Sequence, residues 1–81
     1  MNLYLLTNVT HYEPSVYDAC IVCAKDEESA RLIRPDGRAD WENIHKDYNG
    51  WVNTPNQLEC QYLGKADDSI EPGVVLASFV E

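Results

Sequence analysis

Residues Tyr17–Ala24 restrict the fold more than any other segment. Tyr17, Ile21, Val22 and two cysteines suit a pleated, half-buried surface, so the run reads as a strand. Tyr17, Ala19, Ile21 and Cys23 share one face, and Asp18, Cys20, Val22 and Ala24 share the other. The pattern then switches to that of a helix. Asp26 stands where an N-cap can accept backbone hydrogen bonds. Glu27 and Glu28 fall in the first turn, and Arg31 and Arg34 near the end, each matching the sign that the helix dipole favours. Ala30 and Ile33, three apart, can face a sheet together. Arg34-Pro35 ends the helix, because the residue before a proline is pushed out of the α region. Pro35-Asp36-Gly37 is a turn signature.

The flanking segments fill in the pattern. Asn2–Asn8 is an apolar run that reads as a strand, with Leu3, Leu5 and Leu6 partly buried. Residues 9–15 read as a loop, since Pro14 cannot donate to a sheet ladder. Trp41, Ile44, His45 and Tyr48 have helical spacing, with Asp40 as a cap and an end near Gly50. Trp51-Val52-Asn53 reads as a brief strand or a return loop, and Thr54-Pro55-Asn56 as a turn. Leu58–Lys65 alternates, setting Leu58, Cys60 and Tyr62 toward a core. Ala66–Gly73 is a turn-rich acidic connection. Val74–Val80 is apolar enough to be a central strand or one covered on both faces. The 81 residues make one domain. Its expected class is α+β: a small antiparallel sheet of about four strands in the order β-β-α-β-β, a second short helix in the middle segment, and a helix packed on one face.

Charge narrows the function. The chain carries a formal net charge of −8, which repels the phosphates of nucleic acids and anionic membranes and attracts basic protein surfaces. Acidity of this kind also serves solubility alone. No apolar run approaches the roughly 20 residues that span a bilayer. The first residues lack the basic and long apolar regions of a secretion signal. A cytoplasmic protein is therefore expected, and three cysteines, an odd number, suit a reducing compartment.

Residues that could carry chemistry are sparse. Cys20 and Cys23 form a C-x-x-C, but a zinc ribbon needs a second pair and only Cys60 remains. Within a strand the two thiols point to opposite faces, so they read as small buried hydrophobes. His11 and His45 belong to no ligand-spaced pattern, and no serine sits in a nucleophile elbow. No glycine-rich phosphate loop exists, and Asp67–Glu71 lacks the register of a calcium loop. No catalytic, cofactor or metal residue is assigned. The acids offer more. Asp36, Asp40, Glu42 and Asp47 cluster in the middle segment, and Asp67, Asp68 and Glu71 in the last connection. Carboxylates spread along a surface can imitate phosphates, which occur about every 1.7 Å along a duplex. Trp41 and Tyr48 lie among the first group and are favoured anchors at protein interfaces. These nine residues form the candidate partner-binding set. An ordinary solvated acidic face is the plainer alternative.

Several motifs together carry a resemblance. They are Asn2-Leu3-Tyr4-Leu5-Leu6, Tyr17-Asp18-Ala19-Cys20-Ile21-Val22-Cys23-Ala24, Glu27–Pro35, Trp51-Val52, Gly64-Lys65-Ala66 and Pro72–Phe79. In this order they resemble a family of short phage and prophage proteins. The chain departs from that family at Arg34, where a histidine often precedes the proline. The resemblance implies a setting in the bacterial host cell. Small acidic phage proteins include inhibitors of bacterial defence, anti-CRISPR proteins among them, some of which cover basic DNA-binding surfaces. Charge, size and this resemblance together give the leading expectation: a non-enzymatic, anti-CRISPR-like inhibitor, a DNA mimic in effect, that binds a nucleic-acid-binding defence complex such as a Cas effector subunit; a monomer or weak homodimer is expected. Two alternatives stay open: a phage accessory or structural interaction protein without a defence target, and a small Cys/His metal or redox protein.

Overall fold

The computed structural model of the chain describes residues 1–9, 17–35, 51–52 and 55–79. Among these residues four strands form one antiparallel sheet: β1 (Asn2–Asn8), β2 (Tyr17–Ala24), β3 (Leu58–Lys65) and β4 (Gly73–Phe79). Their spatial order is β3-β1-β2-β4, so the first two strands are central and the last two are edges. Register sets Leu6 opposite Cys20 on one side and Cys60 on the other, and Tyr4 opposite Val22 and Tyr62. With a side-chain period of two, these residues share one face. The small domain is thus mostly sheet, with one short helix, α1 (Glu27–Arg31), among the described residues.

The core gathers where that alternation points. Tyr4, Leu6, Cys20, Val22, Ala24 and Leu58 are buried, with Ala30, Trp51 and Val52 in the same cluster. Leu6, Val22, Trp51 and Val52 have no exposed surface. The Tyr4 and Tyr62 rings meet edge to face at 5.8 Å between centroids, an arrangement that aromatic quadrupoles favour. The other face differs. Leu3, Leu5, Thr7, Ala19 and Ile21 are only half-buried.

Local chemistry builds α1 as the sequence anticipates, and also keeps it short. Asp26 is the N-cap: its Oδ1 accepts the Ser29 N–H at 2.7 Å. That bond favours the ionised carboxylate and holds Asp26 below the usual range. The helix ends with Leu32 as C-cap, earlier than the proline would dictate. Arg31 and Arg34 then hold the helix end in place. Arg31 reaches across to donate from Nη1 to the carbonyls of Leu58 at 2.7 Å and Pro55 at 3.2 Å. Arg34, buried although charged, donates from Nη1 to the Val52 carbonyl at 3.0 Å. Both arginines tie α1 and its exit to the segment that leads into β3. They satisfy carbonyls that would otherwise lose their water.

One expectation needs correction, and two others are placed more finely. Val74–Val80 was expected to be central or covered. Instead β4 is an edge, with Val74, Val75 and Leu76 exposed; apolar content alone does not distinguish a buried strand from an uncovered one. Residues 55–57 form a 3₁₀ turn, one residue further on than the turn read at Thr54-Pro55-Asn56. Trp51-Val52 belongs to no strand, yet both side chains are fully buried, so it is the return loop of the two options. The helix read over Asp40–Gly50 and the loop over residues 10–16 lie outside the described residues.

Candidate protein-binding surface

The β3–β4 connection holds the part of the acidic set that the structure describes. Asp67, Asp68 and Glu71 are all exposed there. The connection is anchored at both ends rather than left loose. Ala66 N–H donates to the Met1 carbonyl at 2.9 Å, and Ile70 N–H to the Asp67 carbonyl at 3.0 Å. Asp67 Oδ1 accepts the Ser69 N–H at 2.8 Å, a local Asx turn. That bond holds the Asp67 carboxyl below its usual range, so its charge persists into acid solution. At the far end, the Ile70 carbonyl meets the Cys23 thiol at 3.8 Å. Three carboxylates are therefore displayed on a turn fixed to the first residue of the chain and to the end of β2.

The described positive charges do not pair with them. Among the described residues the one ion pair is Arg31 Nε with Glu27 Oε2, at 3.3 Å and spaced i,i+4 on α1. Arg31 and Arg34 direct their Nη1 groups at backbone carbonyls. Asp67, Asp68 and Glu71 have no cationic partner among the described residues. The remaining six members of the candidate set, Asp36, Asp40, Trp41, Glu42, Asp47 and Tyr48, lie outside those residues, as do His11 and His45.

The thiols have protein-interior character. Cys20 is buried, and burial pushes its thiol up to about 12. Cys60 is half-buried and also raised, first by desolvation and then by the Glu27 carboxylate, with Arg31 pulling the other way. A thiol that stays protonated at neutral pH is a poor nucleophile and a poor metal ligand. Cys20 faces the core, and Cys23, with the opposite parity, is closed off by the β3–β4 connection at Ile70. Among the described residues no three His, Cys, Asp or Glu side chains converge in a way that could hold a metal ion. No described helix is long and apolar enough to cross a membrane.

One feature of this surface escaped the sequence reading. Val74, Val75 and Leu76 stand exposed directly after the acidic connection. The readable signal was the lack of any charge from Gly73 to Phe79. Comparison with family models, curated proteins and solved structures finds nothing that matches this chain.

Proposed function

We propose that this protein is a non-enzymatic inhibitor that binds a basic surface on a nucleic-acid-binding protein and blocks it. Its implied setting is the bacterial cytoplasm, and its implied target class is a defence complex of the Cas type, as the phage-family resemblance suggests. The observation that carries the reading is the exposed trio Asp67, Asp68 and Glu71, which has no cationic partner among the described residues, in a chain of net charge −8. A tethered turn needs little backbone reordering when a basic groove arrives, so less entropy opposes binding. In this reading α1 and the Trp51–Val52 return lie over one sheet face and stiffen it. The connection at the sheet's end then presents its charges from a rigid base. The middle-segment acids and Trp41 and Tyr48 are assigned to the same surface.

The test is a binding titration against a purified, DNA-free Cas effector complex at low and high salt. Association should weaken as salt rises, because the Debye length shrinks from about 30 Å at 0.01 M to about 8 Å at 0.15 M. The triple variant Asp67→Asn, Asp68→Asn, Glu71→Gln should slow association at low salt on the order of tenfold. Binding that is indifferent to both salt and the triple variant would remove the basis for this reading.

A further inference from the structure

The two edges of the sheet are built differently. β3 carries Glu59, Gln61 and Lys65, polar or charged side chains of the kind that discourage pairing with another strand. β4, Gly73-Val74-Val75-Leu76-Ala77-Ser78-Phe79, carries no charge, although a quarter of the chain is Asp, Glu, Lys or Arg. Among the described residues nothing pairs with its outer side. Its three consecutive apolar residues are open to solvent: Val74 by 43%, Val75 by 47% and Leu76 by 65%. The register against β2 slips at Val75, runs evenly from Leu76, opposite Ile21, to Ser78, and shifts again before Phe79. Leu76 and Ile21, with Leu5, Ala19 and Ser78, line a shallow apolar hollow of about 130 Å³. An uncharged edge and an apolar hollow therefore adjoin at one residue, Leu76.

We infer that β4 is a self-association edge, along which a second copy of this chain pairs antiparallel about a twofold axis close to Leu76. The charge pattern selects the second copy over a foreign strand. A basic partner strand would find no carboxylate within β4 to meet its cations. Two copies of β4 bring only uncharged residues together. Antiparallel pairing also places the two sets of Asp67, Asp68 and Glu71, which precede β4, at opposite ends of the joint. The unpaired N–H and C=O groups of one edge satisfy those of the other, and four strands become a continuous sheet of eight. Each Leu76 then closes over the joint beside the hollow. This association is independent of the acidic surface, and the two differ in the sign of their salt dependence. Added salt screens the repulsion between two bodies of charge −8 and so strengthens the pair.

Sedimentation velocity over a concentration series, at about 0.05 M and about 1 M sodium chloride, tests it. Dimers are expected, with a dissociation constant that falls as salt rises. Leu76→Lys and Val75→Lys should each weaken the dimer on the order of a hundredfold, by removing the apolar contact and placing a cation on each side of the joint. Each lysine also lowers the net negative charge, so the loss cannot come from greater whole-molecule repulsion. Both sites are exposed, and an unchanged circular dichroism spectrum would verify that the variants fold. Asp67→Asn, Asp68→Asn, Glu71→Gln should leave the dimer intact. A monomer at about 1 mM protein in high salt overturns the inference, as does a dimer that ignores both lysine variants.

Discussion

Leu6→Ala is the substitution that examines the fold most directly. Leu6 lies on central strand β1, has no exposed surface, and stands between Cys20 and Cys60 in register. Truncation removes the transfer energy of three carbon atoms and leaves a cavity. The sum for buried leucines is about 2–5 kcal/mol, larger where the surroundings cannot collapse. β1 is hydrogen-bonded on both sides and Trp51 is locked in the same cluster, so about 3–4 kcal/mol is expected. An 81-residue domain has roughly 4–12 kcal/mol in all. The variant should therefore lose a large part of its stability, with a midpoint drop of about 12–30 °C. Leu63→Ala is the internal control, since Leu63 is 44% exposed on an edge strand and should cost about 0.5–1.5 kcal/mol. Urea titrations monitored by far-ultraviolet circular dichroism measure both. Equal costs for the two leucines, or less than about 1 kcal/mol for Leu6→Ala, would refute the placement of the core on this face.

Gly64 has φ of +144° where the register between β1 and β3 skips Leu63, and an added Cβ would meet nothing within 4 Å. Gly64→Ala should therefore cost about 1–3 kcal/mol through backbone strain alone, and an unchanged urea midpoint would show that the conformation is not required. Cys20 gives a pH signature. Its folded thiol is raised to about 12, whereas an unfolded thiol ionises near about 8.5. The folded state thus holds the proton longer, and stability is intact below about pH 8.5 and declines as pH climbs toward 12. Cys20→Ala should flatten that alkaline decline in stability measured by urea at stepped pH; a slope equal to the wild type would contradict the burial argument.

Much of the sheet was readable because local signals and tertiary demands agree there. Asn2–Asn8, Tyr17–Ala24 and Leu58–Lys65 have the strand bounds that alternation and turn residues indicate. Asp26 caps α1 because a short acceptor followed by two acids has few better uses. The failures share a cause. Whether β4 lies inside or at the edge depends on strand order, a long-range property that seven uncharged residues do not encode. The inward turn of Arg34 depends on a carbonyl of Val52, far along the chain. Leu58, Cys60 and Tyr62 share a face as their spacing implies, yet burial fades along the edge strand, from Leu58 through half-covered Cys60 to exposed Tyr62. Of the candidate site, Asp67, Asp68 and Glu71 are exposed as an acidic connection should be. Their fixed turn, and the uncharged edge beside them, emerge only in three dimensions.

The central place of β1 bears on how the chain is made. The ribosome releases β1 first and β2 soon after, so one flank of β1 can zip up early. The other flank pairs Asn2 with Lys65 and Asn8 with Leu58, and must wait until β3 has emerged. During that interval Leu6 is covered from one direction only. Long-range closures of this kind slow folding and prolong the exposure of apolar strands to neighbouring chains. A nascent chain stalled before β3 should therefore engage chaperones, whereas one stalled beyond Lys65 should already resist protease.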